Sequence, residues 1–332
     1  MEPAQPIPLL EYYQPPTVEA AAALSSPRLF RAVGRHVTPR VEWVEINVKS
    51  VLNRVQGMPF EWSINPYRGC SHACPFCFAR RTHWFLDEDG VNDWATKVFV
   101  KVNAPEVLRG ELNRRTWKRE LVALGTATDP YQAAEGRYRL TRRILEALRD
   151  FRTPVSIITR SAMILRDVDV LHSLARRAAV TVCVSVATTD ARLAREIEPT
   201  VAPPDQRLRA VARLTQAGIR TGVLIAPILP GLTADAKSLE AVIRAARDHG
   251  AHFVGNIVLH LGDVTRDAFM KFLRERYPTL VPLYERLYGR KYAPRAYQQR
   301  IAQIVAGHKE HLGLRQERYT QPAGSSEQLR LL

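Results

Sequence analysis

Cysteine is scarce in this 332-residue sequence: there are four, and three of them fall within eight residues. Four thiols so distributed do not make a disulfide framework, and they point to a reducing, cytoplasmic setting. No run of about 18 apolar residues occurs, so no membrane-spanning helix is expected. The opening, Met1-Glu-Pro-Ala-Gln-Pro, is neither basic nor apolar and does not read as a signal peptide. Lysine is rare too. Of 48 Lys and Arg only eight are Lys, against 33 Asp and Glu, and the formal charge is +15. An excess of that size suits nucleic acid or another polyanion. The forty arginines are spread along the chain, however, and a GC-rich genome yields such a bias without any function. A hydrophobic content of 46% is normal for a globular enzyme with a real core.

What the chain does have is the stretch Asn65-Pro-Tyr-Arg-Gly-Cys70-Ser-His-Ala-Cys74-Pro-Phe-Cys77-Phe-Ala-Arg80. Pro66, Gly69 and Pro75 break any regular element, so the stretch is a loop. Three residues separate Cys70 from Cys74, and two separate Cys74 from Cys77. A loop this short can wrap three thiolates around one metal centre. Three protein thiolates are one too few for a closed zinc or iron–sulfur site. A cube-shaped 4Fe-4S cluster on three cysteines leaves one iron open to a non-protein ligand. The alternative is a zinc knuckle with His72, His83 or Cys183 as fourth ligand, although the paired Cys-x2-Cys half-sites of zinc ribbons are missing.

Around this loop the chain alternates. Strand-like stretches at 61–65, 97–102, 120–124, 154–159, 180–187, 219–226 and 252–259 are interleaved with helical ones at 105–115, 137–150, 167–178, 205–217 and 233–249. Near-continuous apolar strands between helices predict a parallel sheet covered by helices. Roughly six units fit before residue 262, against the eight of a full barrel of about 250 residues. The organisation that follows is an N-terminal extension over 1–59, an α/β core over 60–262 and a C-terminal helical region over 263–332. The extension opens proline-rich and partly disordered, with a strand over 41–48. The last region carries helices at 265–275, 280–288 and 295–310 and frays over its final dozen residues. Sites in such folds sit at the C-terminal ends of the strands, and the cysteine loop follows the first strand.

The Cys-x3-Cys-x2-Cys spacing, with Phe76 before the third cysteine, resembles the signature of the radical S-adenosylmethionine (radical SAM) superfamily. The resemblance implies a partial (β/α)6 barrel of TIM type. It implies a 4Fe-4S cluster on Cys70, Cys74 and Cys77, with the amine and carboxylate of SAM on the open iron. It further implies reductive cleavage of SAM to a 5′-deoxyadenosyl radical and an electron donor of flavodoxin or ferredoxin type.

The strand ends then carry candidate SAM contacts. Gly125-Thr-Ala-Thr-Asp129 follows the second barrel strand, where the superfamily places its amine-binding segment. Gly125 permits close backbone approach, Thr126 and Thr128 offer hydroxyls, and Asp129 can accept from an ammonium. Arg160, after the third strand, suits a bidentate hold on the SAM carboxylate or a pair with Asp167 or Asp169. Ser185, near the end of the fourth, suits the ribose or methionine part. Glu196 or Glu198 can take ribose hydroxyls, and Ala226 to Gly231 can wall the adenine. Cys183 reads as a buried hydrophobe, with a hydrogen-donating thiol as the sharper alternative.

Asn65-Pro-Tyr-Arg-Gly-Cys70, Gly125 to Tyr131, Thr159-Arg-Ser161, Arg166-Asp167 and Ala226-Pro227 resemble the spore photoproduct lyase-like branch of the superfamily. Photoproduct lyases repair thymine dimers in DNA, with a cysteine near the end of the second barrel strand as hydrogen donor. This chain has Thr126, Ala127 and Thr128 there. The expectation is a radical SAM enzyme of unassigned reaction, with nucleic acid as the leading substrate class. The alternative is a non-catalytic zinc- or cluster-bearing nucleic-acid-binding module.

Overall fold

A computed structural model describes residues 30–314, apart from 39, 57 and 59. The proline-rich opening and the frayed end expected from the sequence lie outside the described residues. Those residues contain β1 (Phe30–Val37), β2 (Glu42–Val48), β3 (Asn53–Arg54), β4 (Trp62–Ile64), β5 (Tyr67–Arg68), β6 (Lys97–Lys101), β7 (Val122–Leu124), β8 (Val155–Thr159), β9 (Val180–Ser185), β10 (Arg220–Ile228) and β11 (Val254–Val258). One sheet runs β3-β4-β7-β8-β9-β10-β11. From β4 to β11 its neighbours are all parallel and in sequence order, and β3 adds an antiparallel edge. These six parallel strands match the number of α/β units that the alternation predicts.

The two faces of this sheet differ, because successive side chains of a strand point opposite ways. Val122, Leu124, Ile157, Val182, Val184, Val223 and Ile225 face helices and share one core with Leu108, Ile144, Leu148, Leu171, Val211 and Ile243. Each of these is essentially unexposed, and such burial contributes about 1.5–3 kcal/mol per side chain. The helices are Ala104–Leu112, Leu140–Asp150, Val168–Ala175, Pro204–Gln216 and Ala236–Asp248. The alternate residues of the strands are smaller or more polar: Ser63, Ala123, Ser156, Cys183 and Ser185. Cys183 packs there with Leu224, Ala226 and Phe253.

A second sheet, β1-β2-β6-β5, stands beside the first. The apolar stretch at 97–102 reads as part of the alternation but joins this sheet. β6 lies between β2 and β5, and Val98 and Val100 pack with Tyr67 and Leu140. β5 ends two residues before Cys70. The strand expected over 41–48 is therefore joined to the cysteine loop through β6 and β5.

The helix expected over 137–150 is two helices, Ala134–Tyr138 and Leu140–Asp150, with Arg139 between them at φ 49. Buried Glu135 makes the break stable. Its carboxylate accepts from the Thr141 amide at 3.0 Å, the Arg142 amide at 3.4 Å and the Tyr67 hydroxyl. Amides at a helix start need such acceptors. Helices Asp263–Arg276 and Val281–Leu287, with Tyr288 just after the second, pack Phe269, Leu273, Tyr284 and Tyr288 against Leu229, Leu259, Cys74 and Phe76. Helix Arg295–His311 sends Ile301 and Val305 into the main core. No helix among the described residues is long and apolar enough to cross a membrane.

Close packing on the inner side gives a test. A Cβ on Gly222 would stand 2.4 Å from the Phe253 ring. Gly222→Ala is expected to lower stability by about 1–3 kcal/mol in urea melts. Adding Phe253→Ala should cost less than the sum of the two single changes. Strict additivity would show that the two positions do not touch.

Candidate active site

The cysteine loop is tied to the segment after β7 from both sides. Asn65, just past β4, accepts the Ala127 amide at 2.7 Å through Oδ1 and donates Nδ2 to Thr126 Oγ1 at 3.2 Å. Gly69 has φ +84, and a Cβ there would meet the Lys97 carbonyl oxygen at 2.7 Å, so only glycine fits. The Gly69 carbonyl accepts from Thr128 Oγ1 at 2.7 Å and from Gln132 Nε2 at 3.0 Å. Gln132, fully buried, also accepts the Ser71 amide through Oε1 at 2.9 Å. On the far side of the loop, buried Arg80 donates Nε and Nη2 to the Cys74 carbonyl at 3.3 and 3.1 Å. Its Nη1 reaches the carbonyls of Gly90 and Val91, each at 3.0 Å.

Cys70 and Cys74 are buried, Cys77 is half-buried, and none is in a disulfide. Cys70 and Cys77 pack with Phe78 and Ala127 around Trp94, whereas Cys74 packs toward Ala187 and Leu229. Burial pushes the Cys74 thiol well up, with the Arg160 guanidinium opposing it. Burial also raises Cys77, against Arg160 and Arg80. Among the described residues no three His, Cys, Asp or Glu side chains converge on the position of one metal ion. A mononuclear zinc needs donors at about 2.0–2.3 Å from one point, whereas a four-iron cluster takes each thiolate on its own iron.

Asp129 is a hub. Its carboxylate accepts the Tyr131 amide at 2.9 Å, the Thr159 hydroxyl at 2.7 Å and the Arg160 amide at 2.7 Å. His72 Nδ1 stands 3.4 Å from Asp129 Oδ2 as a buried ion pair without hydrogen-bond alignment. Burial opposes the charge of Asp129, but His72 and these hydrogen bonds outweigh it and hold the pKa down to about 2.

The Arg160 guanidinium pairs with neither Asp167 nor Asp169, which are taken by Arg142 and Arg166. It lies 5.6 Å over the Phe76 ring, donates Nε to Glu198 at 3.0 Å and Nη2 to the Ala226 carbonyl at 3.0 Å. Glu198 is also held by buried Arg207 at 2.6 Å, and Arg207 reaches the Ser185 carbonyl at 2.7 Å. One buried carboxylate thus joins two guanidinium groups across the ends of three strands. Glu196, the other carboxylate considered for ribose, bonds the Tyr277 hydroxyl instead.

The remaining candidates separate clearly. Gly125 has φ +91, and a Cβ there would meet the Ile158 carbonyl oxygen at 2.6 Å. The Ser185 hydroxyl is buried and has no protein partner. His83 bonds the Lys97 carbonyl at 3.1 Å between Trp94 and Phe99, and burial lowers its pKa to about 4. It is a core histidine. Asn65, Arg80 and Gln132 are the positioning residues that sequence reasoning passed over. Their signal was polar side chains inside or beside stretches that otherwise bury.

The sequence model of the radical SAM superfamily matches residues 64–240. An uncharacterized protein of Mycobacterium tuberculosis is 41% identical over 282 residues, spanning 84% of this chain and 83% of its own. One of Methanocaldococcus jannaschii is 28% identical over 194 residues, 58% of this chain and 70% of its own. Among solved structures, a spore photoproduct lyase variant with bound AdoMet and dinucleoside spore photoproduct superposes with a TM-score of 0.54 at 17% identity, covering 76% of this chain and 74% of that one. Another variant of that lyase gives a TM-score of 0.57 at 15% identity over the same shares. At such identities the likeness is one of fold.

Cys183 supplies the test of this geometry. Burial pushes its thiol up to about 12. At pH 8 that leaves roughly a thousandfold less thiolate than in an ordinary cysteine. Iodoacetamide should leave Cys183 unmodified in the native protein and alkylate it in urea, as read by peptide mass spectrometry. Rapid native alkylation would contradict its burial.

Proposed function

The chain belongs to the radical SAM superfamily, and on that premise we propose that Cys70, Cys74 and Cys77 carry its cluster while the neighbouring strand ends receive SAM. It is an enzyme, and its cofactors are a 4Fe-4S cluster and S-adenosylmethionine. Such a cluster, with one iron open to SAM, supplies the electron that cleaves SAM to methionine and a 5′-deoxyadenosyl radical. The non-catalytic module weighed from the sequence is set aside by this membership.

The observation that carries the ligand assignment is the three-thiol loop, pinned by Gln132 and Thr128 on one side and by Arg80 on the other. Soft thiolates suit iron–sulfur chemistry, and the donors need not share one metal position. On the SAM side, one feature fits an incoming ligand: the Ser185 hydroxyl is buried without a protein partner. At Gly125 the missing side chain makes room for the Ile158 carbonyl and the Pro130 ring, which sets the course of the turn. Thr126 lies in the same turn. Thr128, Asp129 and Arg160 we assign as positioning residues, because each already spends its polar atoms on the loop or on the strand ends. Arg160 and Arg80 bring positive charge to the thiols and favour their thiolate forms.

Enzymes of this family need an electron donor, and a flavodoxin- or ferredoxin-like protein in a reducing cytoplasm is the form we propose. For the substrate we propose a nucleic acid. The +15 charge and the lyase-like motifs support it. Thr126, Ala127 and Thr128, at the place of the lyase cysteine, separate the reaction from photoproduct repair. We take 60–262 as the catalytic core, flanked by 1–59 and 263–332.

The test is anaerobic. Protein reconstituted with iron and sulfide is given SAM and dithionite, and 5′-deoxyadenosine is followed by mass spectrometry. Wild type should form it, and Cys74→Ala should form at least about a hundredfold less, as expected when a residue that holds the cofactor is removed. A fully loaded wild-type protein that forms none, with or without single-stranded DNA or RNA, would sink the reading.

A further inference from the structure

A cavity of about 420 Å3 lies beside the cysteine loop but outside the thiol site. Phe78, the residue after Cys77, lines one wall, and so does Thr265, whose hydroxyl donates to the Cys77 carbonyl at 3.1 Å. His260, two residues beyond β11, lines another, so the cavity opens on the strand-end face where sites of this fold collect. Its size falls within the range of about 300–1,000 Å3 usual for small-ligand sites.

The lining is cationic. Arg81, Arg266, Arg290 and Lys291 face two carboxylates, Asp263 and Asp267. His260 adds no charge, because burial and the nearby Lys291 pull its pKa down to about 4. Burial lowers the Lys291 ammonium too, and repulsion from Arg81 adds to it. Arg266 is fixed in place by a bond from Nη1 to the Tyr288 carbonyl. Like charges gathered in a partly enclosed hollow raise the potential there, and an entering anion relieves it. Arginine forks match phosphate oxygens in geometry as well as in charge. The rings beside them form a row: Phe78 lies 5.6 Å from His260, and His260 lies 5.6 Å from Tyr292. Tyr292 is 39% exposed, and Lys291 lies 5.2 Å over its face. Open aromatic faces next to cations are how proteins hold nucleobases without reading sequence.

We propose that this cavity binds the phosphate of a nucleotide unit, with the base against the exposed Tyr292 ring at the end of the row, and so docks the substrate beside the cysteine loop. The assignment rests on the nucleic-acid reading of the substrate above and gives it a place. The phosphate comes either from a strand or from a free nucleotide.

The test is fluorescence anisotropy of a short labelled single-stranded oligonucleotide on the full-length, cluster-loaded protein, from about 50 to about 200 mM salt. Arg290→Ala/Lys291→Ala should bind at least about tenfold more weakly, with a log–log salt slope shallower by up to about 1.4. Tyr292→Ala should weaken the oligonucleotide by about tenfold while leaving competition by inorganic pyrophosphate unchanged. Arg244→Ala removes a cation that is paired with Glu240 on helix Ala236–Asp248, and it should bind as wild type does. Full displacement by equimolar AMP would assign a free nucleotide, and resistance to a large excess would assign a strand; both keep the phosphate site. Equal loss in Arg244→Ala, or no loss in the double variant, overturns it, as does displacement by an acidic flavodoxin from a surface indifferent to both variants. Wild-type SAM cleavage without oligonucleotide is measured alongside, so that failure of the radical chemistry and failure of the phosphate site register separately.

Discussion

One backbone carbonyl holds the site together. Gly69 presents it to the Thr128 hydroxyl and the Gln132 amide at once, and Gln132 returns a bond to the Ser71 amide. The first residues of the cysteine loop are thereby fixed to the end of the second barrel strand. All of these groups are buried or nearly so. Each bond is worth about 1 kcal/mol, but a donor left unmade in that setting costs about 1–3 kcal/mol. The asymmetry favours one loop conformation over its alternatives. Gly69 and Gly125, both at positive φ with no room for a Cβ, let each segment pack against its own outer neighbour, Gly69 against the Lys97 carbonyl and Gly125 against the Ile158 carbonyl.

Charge makes the second constraint. Glu198 lies between Arg160 and Arg207, and Asp129 lies under the Arg160 amide and beside His72. Buried ion pairs stabilise little, because desolvation cancels much of their attraction. Their effect here is placement: they fix a guanidinium over Phe76 and keep positive charge near Cys74 and Cys77. A cluster held by thiolates is anionic, and outer groups of this kind tune such a centre. The cationic cavity beside Phe78 extends the same polarity along the strand-end face, where we place the substrate.

The sequence announced the fold through its alternation and the thiols through their spacing. Both signals are local. Six parallel strands and the loop after β4 follow from short stretches read alone. The strand at 97–101 was misplaced because apolar content does not say which sheet a strand joins; its neighbours β2 and β5 decide that. The break at Arg139 was missed because Glu135 caps the next helix through space. Of the two readings of Arg160, a hold on the SAM carboxylate or a pair with Asp167 or Asp169, the second follows nearness in sequence alone, and the carboxylate it meets, Glu198, lies 38 positions away. Gln132 was passed over for the same reason: its partners, Gly69 and Ser71, belong to a different element. Polar residues buried by tertiary contacts leave no periodic trace.

The central claim is an iron–sulfur cluster held by three protein thiolates, with its remaining iron left for SAM. Electron paramagnetic resonance of the dithionite-reduced protein tests it most directly. Adding SAM should shift the g-values of the reduced cluster, and SAM labelled with 15N at its amine should add a resolved hyperfine coupling. A cluster spectrum indifferent to SAM, with no coupling to the label, would mean that the protein fills all four iron positions and would contradict the account.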